Sequence, residues 1–109
     1  MHAELESLAQ LLDEAANLLR TYGVENWATW LKADAERIRR SDFYGVEHLL
    51  SAFGGMGSLN DVVLVKSDAM PQEVRTPSND NAHFESVRTE IYTRATKLAR
   101  EEQAGREGA

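Results

Sequence analysis

Leu5, Leu8, Leu12, Ala15, Leu19 and Tyr22 recur every three or four residues, with Leu11 and Leu18 widening the row. This spacing puts side chains on one face of an α-helix and on no single face of a strand. The chain therefore opens with an amphipathic helix, over roughly 4–22, whose stripe must be covered by other helices. Glu6, Gln10, Asp13, Asn17 and Arg20 fall on the opposite face. Gly23 follows the stripe and tolerates the left-handed conformation that ends a helix.

The same rhythm continues in Val24, Trp27, Leu31, Ala35 and Ile38, predicting a second helix over 24–40. Trp27 sits at the centre of that stripe, where a core role is expected. Trp30 and Asp34 fall at its rim. Ser41 and Asp42 suit a helix N-terminus, and Val46, Leu49, Leu50 and Phe53 predict a short third helix ended by Gly54. Val62–Val65 is β-branched and apolar, as in a short strand or an extended segment. Residues 66–81 hold both prolines and read as a loop with room for a second short strand around 73–75; the sequence leaves open whether that stretch pairs with 62–65. Phe84, Val87, Ile91, Ala95 and Leu98 predict a final helix over 82–102, capped by Asn79 or Asn81.

The expected fold is mainly α: a compact four-helix domain with a Gly-rich turn and a short extended or β segment between helices three and four. A chain of 109 residues supports one hydrophobic core. Residues 1–103 are expected to form a single domain and 104–109 a flexible tail.

The chemistry is constrained mostly by what is missing. With no cysteine there is neither a disulfide nor a thiolate metal site, so a reducing, cytoplasmic setting is expected. No apolar run is long enough to span a bilayer. His2, His48 and His83 lack the spacing of a metal-binding helix, and no metal or cofactor site is expected. Tyr44 and His48 stand four residues apart on the polar side of helix three, where surface positions explain them without catalysis. A catalytic use of Asp34, Asp61 or His48 would require those residues to meet in space. No enzyme is expected.

The net charge is −6, with seven acids against two bases in residues 1–36. A negative domain repels phosphate backbones, which disfavours direct nucleic-acid binding apart from the small Arg37, Arg39, Arg40 cluster. It steers instead toward a basic protein partner. Glu6, Asp13 and Glu14 on helix one, with Trp30 and Asp34 on helix two, are the candidate contact residues; tryptophans at a rim are favoured interface anchors.

The segment Gly54, Gly55, Met56, Gly57, Ser58, Leu59, Asn60, Asp61 is the most unusual local feature. Three glycines in four residues carry a backbone entropy cost that a tight turn justifies, with Asn60 and Asp61 bonding to the backbone. The rival reading is a small-ligand or regulatory site, although no Lys follows at a phosphate-loop position.

Read from Trp27 to Leu64 as W-A-x-W-L…I…G-x-x-x-L-L-x-x-F-G-G-M-G-S-L-N-D-x-V-L, the chain resembles a small bacterial family of uncharacterised domains, whose closing helix carries an I-Y pair, here Ile91-Tyr92. The resemblance is strong over 27–64 and loose elsewhere, and the nine-residue turn is its specific part. That family resembles the immunity proteins that accompany bacterial toxins. The resemblance implies stoichiometric binding of a co-encoded, basic toxin domain and no activity of its own, while oligomeric state stays open.

Overall fold

A computed structural model describes residues 2–54, 57–65 and 77–108. Among the described residues four helices carry the fold, α1 (His2–Thr21), α2 (Glu25–Arg39), α3 (Tyr44–Leu50) and α4 (Pro77–Gly108), with a 3₁₀ turn at Leu59–Asp61. α1 packs against both α2 and α4, and α3 does the same from the other side. Their apolar stripes meet in one core, in which Leu8, Leu12, Leu19, Leu31, Ile38, Leu49, Phe84 and Ile91 are fully buried.

α1 and α2 end by the same device. Gly23 adopts φ +80°, and the Val24 amide reaches back to the Leu19 carbonyl at 2.8 Å. At the end of α2, Ser41 takes φ +61° while the Asp42 amide reaches the Arg37 carbonyl, also at 2.8 Å. Both satisfy carbonyls that the last turn leaves free. Ser41 does this against the steric preference of an L-residue. Ser41→Gly is therefore expected to stabilise the domain by about 0.5–1 kcal/mol, read as a higher urea midpoint at unchanged slope.

α4 departs from its expected span at both ends. It starts at Pro77 rather than near residue 82, because a proline lacking its N–H suits the first turn and Asp80 in that turn favours the positive end of the helix dipole. It continues through Gly108, into the stretch read as a tail. Asn79 and Asn81 accordingly lie inside the helix and do not cap it.

Asn81 has a different task. Its Oδ1 accepts from the Leu64 amide at 2.7 Å and its Nδ2 donates to the Leu64 carbonyl at 2.8 Å. One side chain thus supplies both bonds that a neighbouring strand would supply. Val62–Val65 is extended, with Leu64 buried and Val63 and Val65 exposed, and no strand is formed among the described residues. The stretch 73–75, and with it the question of its pairing with 62–65, lies outside the described residues. The Tyr22 hydroxyl, at the end of α1, donates to Asp80 of α4 at 2.5 Å. No helix among the described residues is long and apolar enough to cross a membrane.

Candidate functional site

Asp34 is the one fully buried carboxylate among the described residues, with 0% exposure. The sequence places it at the rim of the α2 stripe as a partner contact; the structure corrects this, because α3 folds over it and leaves no surface for an outside molecule to touch. Its Oδ1 accepts from Arg37 Nη1 at 2.9 Å and lies 2.8 Å from His48 Nδ1. Its Oδ2 is buried without a partner among the described residues. Burial pushes the carboxyl above its ordinary pKa, against the opposing hydrogen bonds and charges of His48 and Arg37.

Gly45 makes this approach of helices possible. A Cβ there would lie 2.9 Å from Arg37 Cβ, 3.1 Å from Ile38 Cγ1 and 3.2 Å from the Asp34 carbonyl. The Arg37 Cβ and the Asp34 carbonyl are fixed by the α2 backbone and cannot swing away. Gly45→Ala is expected to cost about 1–3 kcal/mol, as overpacking in a tight interface does. Thermal melts would show it, and an unchanged midpoint would mean that the helices separate freely.

Above Asp34 the side chains form a stacked surface. The His48 ring lies on Trp30, with centroids 4.1 Å apart and planes at 15°. Trp27 meets Trp30 at 5.2 Å, Tyr44 meets His48 at 5.6 Å, and the Arg37 guanidinium sits 5.4 Å above the Tyr44 ring. Trp30 Nε1 is buried and unpartnered among the described residues. Tyr44 is 54% exposed. A buried carboxylate that fixes Nδ1 orients an imidazole, which is half of the arrangement that activates a nucleophile. Among the described residues no hydroxyl is bonded to His48 Nε2, and the Ser51 hydroxyl donates instead to the His48 carbonyl at 2.6 Å. Among the described residues the cluster presents an oriented aromatic surface with a guanidinium over its Tyr44 ring.

The acids of α1 are largely engaged within the molecule. Glu6 accepts from Arg39 at 3.1 Å, Asp13 is held by Arg39 at 2.8 Å and Lys32 at 3.2 Å, and Glu14 bonds to His83. Burial alone would raise the Asp13 carboxyl, but its bonds to Arg39 and Lys32 outweigh that and hold it below the ordinary value. These carboxylates therefore tie α1 to α2 and α4.

In the Gly-rich turn, Gly54 and Gly57 take φ of +149° and +76°. The Asp61 carboxylate accepts from the Gly57 amide at 2.6 Å, Ser58 Oγ accepts from the Asn60 amide, and the Leu59 amide returns to the Ala52 carbonyl. Gly55 and Met56 lie outside the described residues. Asp61 is thus spent on the turn and does not join Asp34 and His48. The i, i+4 spacing of Tyr44 and His48 is visible in the sequence, but that Arg37 and Asp34 complete their group is not; Gly45, which lets α3 approach α2, is the available signal.

Residues 20–72 match the model of a family described as a domain of unknown function (DUF6966). The matched stretch includes α2, α3 and the Gly-rich turn, so the Asp34 cluster falls inside it. No curated protein and no solved structure matches the chain.

Proposed function

We propose that the chain is a non-enzymatic binding protein of the immunity type, which holds a co-encoded bacterial toxin in an inactive complex. The observation that carries this reading is the α2–α3 surface, where exposed Tyr44 meets His48 and Arg37, and His48 stacks on Trp30. Tryptophan, tyrosine and arginine dominate binding energy at protein interfaces, and pre-ordered side chains lose little entropy on docking. This moves the centre of contact from the α1 carboxylates, which are paired internally, to the aromatic group. Asp42 and Glu47 flank Tyr44 and His48, are exposed, and have no cationic partner among the described residues. They give the surface an acidic rim that suits a basic partner.

The test is co-expression with the product of the adjacent gene, followed by affinity measurement. Protection of the cell and a stable complex are expected, with Tyr44→Ala weakening binding by about thirtyfold, the effect of losing an interface anchor of roughly 2 kcal/mol. Glu6→Gln and Glu14→Gln should each change affinity by less than about threefold. Absence of any complex would defeat the reading, and full affinity in Tyr44→Ala would defeat the placement of the surface.

A further inference from the structure

A second feature lies where the Gly-rich turn meets α4. Phe53, Gly54 and Asn60 from the turn, with Glu85, Arg88, Thr89 and Tyr92 from α4, line a surface cleft of about 380 Å³. That volume is at the lower end of the range that holds small molecules. The apolar wall is a pair of rings, Phe53 and Tyr92, 5.2 Å apart and tilted at 57°. Tyr92 is 48% exposed.

Two opposite charges, Arg88 and Glu85, line this cleft. Around the molecule, Arg20, Lys32, Arg37, Arg39, Arg40, Arg94 and Lys97 each lie within 4 Å of a carboxylate. Arg88 has no carboxylate at that distance among the described residues. Its Nη1 instead donates to the Leu59 and Val62 carbonyls at 3.1 and 3.2 Å, and its guanidinium lies over the Phe84 ring at 5.1 Å. The guanidinium is fixed in place while its charge stays uncompensated. Glu85, three residues earlier on the same helix, also lines the cleft and has no ion pair among the described residues. Residues at this spacing are neighbours on a helix surface and ordinarily pair when their charges are opposite.

We propose that this cleft binds a zwitterionic small molecule of the α-amino-acid class with an apolar or aromatic side chain. Arg88 takes the carboxylate, in the bidentate manner open to a guanidinium. Glu85 takes the adjacent ammonium group, and Phe53 and Tyr92 hold the side chain. The two opposite charges stand three residues apart on α4, where side chains are neighbours on the helix surface, and are not paired with each other, so each is open to one end of such a ligand. The site shares no lining residue with the α2–α3 surface.

The test titrates the full chain with L-phenylalanine, phenethylamine and 3-phenylpropionate, followed by amide chemical shifts and by calorimetry. L-phenylalanine is expected to perturb residues 53–60 and 85–92, with each half-analogue about tenfold or more weaker because one charge-assisted hydrogen bond is lost. Arg88→Gln also releases the turn carbonyls, so Glu85→Gln is the sharper variant: Glu85 is exposed and unpaired, and the fold should not notice its loss. Glu85→Gln should abolish the preference for L-phenylalanine over 3-phenylpropionate, and Tyr92→Ala should weaken both. No perturbation at about 10 mM ligand, equal binding of all three compounds, or an unchanged preference in Glu85→Gln would each overturn the proposal.

Discussion

Asp34→Ala will destabilise the domain by about 3 kcal/mol, the lower end of the range for removing one member of a buried ion pair. The lower end applies because Arg37 and His48 keep part of their surface in water and can be rehydrated, whereas Asp34 itself cannot. The loss appears as a lower urea midpoint at unchanged slope, and a change below 1 kcal/mol would show that the carboxylate contributes no more than an average surface residue. The pH dependence has a defined sign. Folding raises the Asp34 carboxyl above its ordinary 3.8, so the folded chain holds this proton more tightly than the unfolded one. The resulting stabilisation is complete below the unfolded value and is lost as pH rises through the folded one. Asp13, whose pKa is lowered, acts oppositely: its stabilisation is present above its unfolded value and is lost as pH falls through the folded one. Asp34→Asn isolates the first effect, because Asp13 is common to both proteins. The stability of the wild type relative to Asp34→Asn should decline from about pH 4 upward, and a rising difference would refute the buried, raised carboxyl.

Phe84→Ala will cost about 3–5 kcal/mol, the usual penalty for emptying a buried aromatic site. Phe84 is 1% exposed, lies in the shared core and carries the Arg88 guanidinium over its ring. Its removal therefore loosens the arginine that pins the turn as well as the packing of α4. Tyr92→Ala, on the exposed side of the same helix, should stay within about 0.5 kcal/mol. Chemical denaturation of the two variants side by side makes the comparison, and similar losses for both would mean that α4 is docked through a different face.

The stripes of α1 and α2 were legible because burial against a neighbouring helix imposes a three-to-four spacing that few other demands produce. Gly23 announced the end of α1 for the same local reason. Asp34 was not legible, since its burial depends on α3 crossing α2 at Gly45, an event fourteen residues away from Asp34 in the case of His48. A helical wheel shows which side of α2 is apolar, but it cannot show how far a neighbour reaches over the edge. Asn81 misled in a related way: its capping preference is real, but the side chain is used to complete the backbone of Leu64. Pro77 suits a loop on composition alone, but proline also opens helices and here stands in the first turn of α4. The acids of α1 were visible as a face, while their partners Arg39, Lys32 and His83 come from other helices.

α4 joins the rest of the chain through bonds that span great sequence distance, from Asn81 to Leu64, from Arg88 to Leu59, and from Asp80 to Tyr22. α1, α2 and α3 are instead joined by connections of a few residues. Closing long loops is entropically slower than zipping neighbours, so the first three helices should collapse together before the last one arrives. Folding kinetics would then separate the two groups: truncating Leu31 slows folding, whereas truncating Phe84 leaves the folding rate nearly untouched and accelerates unfolding. The reverse pattern would make α4 the nucleus. On this ordering the turn and its cleft are the last parts of the molecule to assemble and the first to open.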